Sequence, residues 1–159
     1  MRKKFEAQYS IGVKKIEETQ PNLKSRDAFA KLLLALKELY VNSAYKSQLF
    51  SILEDKIIKG KKLTGRPVMN LWQIFVLAQT RLALNISYDT LHDYVNEHKT
   101  FRQLLGIEAE IGFEQNKIEY QTIIDNVSLL DEATLKQIND LIVKMGHDVF
   151  KKKQRMYYA

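Results

Sequence analysis

Between Lys59 and Arg66 the chain reads Lys-Gly-Lys-Lys-Leu-Thr-Gly-Arg, four cations in eight residues with no acid among them, followed at once by Pro67. The chemistry open to such a stretch is electrostatic. Glycines relax the backbone, basic side chains supply charge, and each phosphate they neutralise releases a condensed counterion. A nucleic-acid backbone is therefore the partner to which Lys59, Lys61, Lys62 and Arg66 point, against the plainer role of a solvated connector. A second set is acidic: Asp89, Asp93 and Glu97 stand at i, i+4 and i+8, with His92 and His98 nearby. One helix face carrying three carboxylates could hold a divalent cation, but such faces are ordinarily solvated, and no HExxH or paired ExxH spacing is present. His147 beside Asp148 has the same standing. There is no glycine-rich phosphate loop after a strand and no nucleophile elbow, so the chain reads as non-catalytic, with no metal and no cofactor.

Other polar residues are candidates for DNA contact. Arg102, with Lys99 close by, lies where little apolar sequence surrounds it and suits a phosphate. Tyr120, Gln121, Thr122 and Asn126 offer base-edge hydrogen-bonding types on one later helix, a rival recognition element. Lys151, Lys152 and Lys153 open a cationic tail. Arg81 interrupts the most apolar helix and must be paired or reach water; an ion pair with Asp89 or Asp93 is the first expectation, phosphate the second.

The elements that must position these groups are helical. Only two prolines and six glycines occur, and Leu, Lys, Glu, Ala and Gln abound, which favours helix nearly throughout. The expected fold is all-α, a helical bundle with a helix-turn-helix-like unit preceded by a helical hairpin. Residues 1–24 are taken as an extended arm, 25–60 as the hairpin, 61–70 as a basic linker loop, 71–150 as a helical DNA-binding-like domain and 151–159 as a basic tail. Ser25 is expected to cap the first helix, whose stripe is Phe29, Leu32, Leu33, Leu36 and Tyr40. The second spans about 43–59 with Tyr45, Leu49, Ile52, Leu53 and Ile57 inward. Asn70 and Gln73 form a capping box before a helix that is apolar on nearly every side, over 71–84. Ser87 and then Thr100 cap two short helices with tight turns, the outline of a helix-turn-helix. Residues 107–118, with Glu108, Glu110 and Glu114, read as a polar acidic loop. Tyr120 to Leu130 is a further helix, and Asp131 caps a last one whose stripe, Leu135, Ile138, Ile142, Met145 and Val149, fits either a core-covering face or a dimer seam.

Charge is divided unevenly. Residues 1–66 carry fifteen Lys and Arg against seven acids, residues 67–150 six against twelve, and the last nine residues four against none. Phosphate contact should therefore come from the ends and the 59–66 loop. At 159 residues and 45% apolar content the chain can bury a real core, and disorder is not expected. The absence of cysteine excludes disulfides, a thiolate nucleophile and cysteine-ligated zinc. No signal peptide or membrane-length apolar run is seen, so a cytoplasmic protein without a membrane partner is expected.

The run LKSRD at 23–27, the segment GKKLTGRPVMNLWQIFVLAQTRLALNISYDTLHDYVNEHKTFRQLLG at 60–106, YQTIIDNVSLL at 120–130 and VKMGHDVFKKK at 143–153 closely resemble the amino-terminal part of bacterial insertion-sequence transposases of the DDE type. The resemblance spans nearly the whole chain. It implies a region that binds transposon ends and self-associates, preceding an RNase H-like domain whose acidic triad holds two metal ions. In that family the first catalytic aspartate is expected shortly after the stretch matching Phe150 to Lys153, where this chain departs into Gln-Arg-Met-Tyr-Tyr-Ala. Asp89, Asp93 and Glu97, on one helix, are not that triad. The leading expectation is thus a transposon-end DNA-binding part, partnered by duplex DNA of the inverted repeat. Its rival is a truncated transposase that acts as an inhibitory interaction protein, pairing with itself or with full-length transposase through the stripe 135–149. A stand-alone nuclease, the third possibility, would need magnesium-dependent cleavage.

Overall fold

The organising element is a helix capped at its first turn by side chains that the sequence spells out. A computed structural model describes residues 12–59, 69–109 and 117–158. Its helices are α1 (Ala28–Val41), α2 (Ser43–Leu53), α3 (Leu71–Leu84), α4 (Tyr88–Glu97), α5 (Lys99–Leu104), α6 (Tyr120–Val127) and α7 (Glu132–Tyr158). The architecture is an all-helical bundle. At the start of α3 the Asn70 side chain accepts from the Gln73 amide at 2.9 Å, and the Gln73 side chain accepts from the Asn70 amide at 3.2 Å. This reciprocal box satisfies two amides that a helix start otherwise leaves orphaned.

Apolar residues on every side make α3 the centre. Leu71, Trp72, Ile74, Phe75, Val76 and Leu77 are all fully buried, each side chain of this class stabilising the fold by about 1.5–3 kcal/mol. The buried Trp72 indole donates to the Leu104 carbonyl at 2.9 Å, so its polar edge is satisfied as its rings pack. Helices α1, α2, α4 and α6 contact α3 directly. Asn85 ends it in the left-handed conformation, φ 50°, a conformation Asn tolerates better than most residues.

Single residues serve both sides of two sharp corners. Asn42 closes α1 by donating its amide to the Glu38 carbonyl and opens α2 by accepting from the Tyr45 amide. His98 does the same between α4 and α5: its amide bonds the Tyr94 carbonyl, and its Nδ1 accepts from the Phe101 amide at 3.2 Å. Thr100, expected to cap α5, instead lies inside it. Asp27 rather than Ser25 caps α1, accepting from the Phe29 amide, while the Ser25 hydroxyl accepts from the Asp27 amide one step earlier. Phe29 then stacks on Tyr94 and meets His98 and Phe101 edge-on, tying the start of α1 to the α4–α5 corner.

The described part of the expected arm, residues 12–24, packs on the bundle. Val13 bridges Ala109, Ile16 is buried in a short 3-10 turn (Ile16–Glu18), and Thr19 is buried too. The second helix, expected to run unbroken to about residue 59, changes pitch. After Leu53 it becomes a π-helical turn, Glu54–Ile58, which keeps Ile57 buried. Asp131 caps α7 as the sequence indicates, accepting from the Thr134 amide at 2.8 Å. Ile138, Leu141 and Met145 of α7 are buried in the common core and Leu135 and Ile142 are partly buried, with α2 their neighbour. Most of the stripe offered as a dimer seam is thus spent on packing within the chain; the Val149 side chain lies outside the described residues.

Candidate nucleic-acid interface

Helices α2 and α7 run antiparallel, as the contacts at their two ends require. At one end Lys56 pairs with Asp131; at the other the Tyr45 hydroxyl donates to Asp148. The bond to Asp148 holds the Tyr45 phenol above its ordinary value, and the Lys56 ammonium, with the Thr134 cap, holds the Asp131 carboxyl well below the usual carboxylate range. Because the chain stays helical to Tyr158, the face of α7 that crosses α2 continues past its partner. Thr134, Ile138, Leu141 and Met145 are the buried residues of that face; one turn on, it carries Asp148, Lys151, Lys152 and Arg155. These four stand at i, i+3, i+4 and i+7, one side of a helix. The apolar stripe becomes a cationic one where α2 begins.

With Asn42, the cap of α2, and Tyr45 in its first turn, these four residues line a cleft of about 340 Å³. Lys151, Lys152 and Arg155 are exposed, and among the described residues no acid lies in ion-pair contact with them. Asp148, the one acid in the cleft, is engaged by the Tyr45 hydroxyl. The first turn of α2 holds no acid, so its positive dipole end adds to the field. The cluster was half legible in advance. Lys151 and Lys152 stand out by charge, whereas Arg155, Asn42 and Tyr45 do not; the 148, 151, 152, 155 spacing marks a face only once the tail is helical.

Other candidates fall in different places. Lys59 is exposed and, among the described residues, makes a long i, i+4 contact, 3.8 Å, with Asp55. Lys61, Lys62 and Arg66 lie outside the described residues, as does the Lys153 side chain. Lys99 is exposed at the first position of α5. Arg102 corrects its expectation: it is 1% exposed, and its guanidinium donates to Glu108 at 3.0 Å and to the Val95 carbonyl at 2.9 Å. A group so enclosed positions the 106–109 turn and cannot reach a phosphate. Glu108, expected in a polar acidic loop, is buried and paired with it.

On α6, Tyr120 is exposed with its ring edge-on to His92. Gln121 is exposed and donates to Asp125 at 2.8 Å, and Thr122 is half-buried. Asn126 is buried, its side-chain amide donating to the Thr122 carbonyl at 2.7 Å, so it presents nothing to a base edge. Arg81 does not pair with Asp89 or Asp93; its guanidinium lies over the Tyr88 ring, 4.1 Å from the centroid, a cation–π contact that keeps the charge at the rim of the core. Asp89, Asp93 and Glu97 are all exposed on α4, with Lys117 3.7 Å from Glu97. Among the described residues no three His, Asp or Glu side chains are placed to hold a metal ion, and no helix is long and apolar enough to cross a membrane. Comparison with protein-family models, with curated proteins and with solved structures gives no match to the chain.

Proposed function

We propose that the chain binds duplex DNA, as the end-recognition part of an insertion-sequence transposase, and that as it stands it carries out no catalysis. The observation that supports this reading is the cationic face at 151, 152 and 155, exposed, unpaired with any described acid and held by α2 in a defined place. Phosphate contacts of this kind supply affinity and register, while base contacts must supply sequence choice. Helix α4 is a poor groove reader because its exposed face carries Asp89, Asp93 and Glu97, which phosphates repel. The short α5 turns Phe101, Arg102 and Leu104 inward. Helix α6 is the better choice, with Tyr120 and Gln121 outward.

The test is fluorescence anisotropy with the terminal repeat of the element and with a random duplex of equal length, across a salt series. The repeat is expected to bind more tightly at every salt concentration. Equal affinity for both duplexes throughout would remove end recognition, since nonspecific binding is largely the electrostatic contribution. The rival, an interaction protein acting through the stripe 135–149, has less to stand on because Ile138, Leu141 and Met145 are already covered.

A further inference from the structure

We infer that the cleft between the start of α2 and the far end of α7 is a discrete phosphodiester site, in which Asp148 sets the affinity. The inference rests on the DNA reading for the source of the phosphate, though not for the site itself. Three features carry it. Lys151, Lys152 and Arg155 leave the cleft with a surplus of two positive charges over Asp148, and no described acid satisfies them. The cleft of about 340 Å³ is roughly ten water volumes, enough for a tetrahedral anion that keeps part of its hydration. Its one carboxylate is turned to the Tyr45 hydroxyl, which leaves the cations available instead of locking them into surface ion pairs.

Spacing favours a polymer over an isolated anion. From Lys151 to Arg155 the helix rises about 6 Å, and one strand of duplex DNA carries a phosphate per roughly 3.4 Å of axis. The cationic face thus covers about two successive phosphates of one strand. Asp148 works against occupancy through its own charge, and the Tyr45 bond limits how far it competes for the lysines.

The experiment follows backbone amide shifts of the full chain during titration with inorganic phosphate at constant ionic strength, with chloride as the matched control. Saturable shifts confined to residues 42–45 and 148–155 are expected with phosphate and not with chloride. Shifts spread over the whole chain, or none, would overturn the site. A twelve-base-pair duplex should move the same amides. If vesicles of phosphatidylglycerol move them and the duplex does not, the site stands and the nucleic-acid source is lost. Random and terminal-repeat duplexes moving them equally would sink only end recognition.

Three variants sharpen the result. The triple change Lys151→Gln, Lys152→Gln, Arg155→Gln should lower the slope of log affinity against log salt by about 2. Lys136→Gln, an exposed change on the same helix off that face, should leave the cleft shifts in place. Asp148→Asn should raise duplex affinity about fivefold, the value of one exposed charge at contact distance. Unchanged or weaker binding by Asp148→Asn would refute the role given to that carboxylate.

Discussion

Glu108→Gln, a change of one atom in a side chain, should cost the fold a large part of its stability. Arg102 is enclosed on α5 with its side chain 2% exposed, and Glu108 beside it is 10% exposed. The guanidinium donates from Nε to Glu108 at 3.0 Å, to the Val95 carbonyl at 2.9 Å and to the Ile107 carbonyl at 3.5 Å. The two carbonyls are dipoles; among the described residues Glu108 is the acid paired with it. Removing the charge from one partner of a buried pair typically costs about 3–5 kcal/mol, because the other charge is left uncompensated. The amide of glutamine still accepts a hydrogen bond, so the lower end, about 3 kcal/mol, is expected. Against a total of about 5–15 kcal/mol for a domain, that is a loss visible in any urea titration. Arg102→Met with Glu108→Leu, which removes both charges and keeps apolar volume, should recover most of the loss. A Glu108→Gln protein within about 1 kcal/mol of wild type would refute the claim that this pair is structurally required.

Burial holds the His98 imidazole below its ordinary value of 6.5, partly opposed by a backbone hydrogen bond and by Asp27. The unfolded chain therefore takes up the proton more readily, so stability is complete above pH 6.5, declines as pH falls through it, and stops declining below the depressed folded value; urea midpoints of wild type should show this and His98→Asn, which keeps a cap acceptor without a titrating ring, should lose that component. Gly106→Ala should destabilise by about 1–2 kcal/mol, since the glycine sits at φ +75° and an added Cβ would meet the Ile16 side chain at 3.2 Å, a conformation costly for any L side chain. A thermal midpoint equal to wild type would show that this turn relaxes.

Local signals in the chain proved readable because each depends on a few neighbouring residues. The Asn70–Gln73 box, the Ser87 cap and the Asp131 cap all stand where their residue types indicate. The all-round apolar pattern of 71–84 does mark the central helix. His98 escaped because imidazole is an uncommon cap, and only the fold keeps its Nδ1 unprotonated and aimed at the Phe101 amide. Glu108 escaped for a different reason: an acid in a polar stretch looks solvated until Arg102 is known to be enclosed beneath it. Of the candidate interface, the lysines were plain from charge. Their platform was not, since Tyr45 and Asp148 meet across 103 residues of sequence, a pairing that no periodicity contains.

The antiparallel pairing of α2 with α7 also decides how the basic segments can cooperate. Lys56 meets Asp131 at one end of the pair, and Lys59 follows one turn later; the cationic face lies at the other end, beyond Tyr45 and Asp148. An α-helix rises about 30 Å between Asp131 and Lys152, three to four times the screening length of about 8 Å in physiological salt. Lys59 and the cleft therefore do not form one basic patch, and neither strengthens the field of the other appreciably. A charged patch assembled from both would have needed no shape of its own. A cleft that must act without them depends on the placement of its own three cations, which is what the Tyr45–Asp148 bond and the buried face of α7 fix.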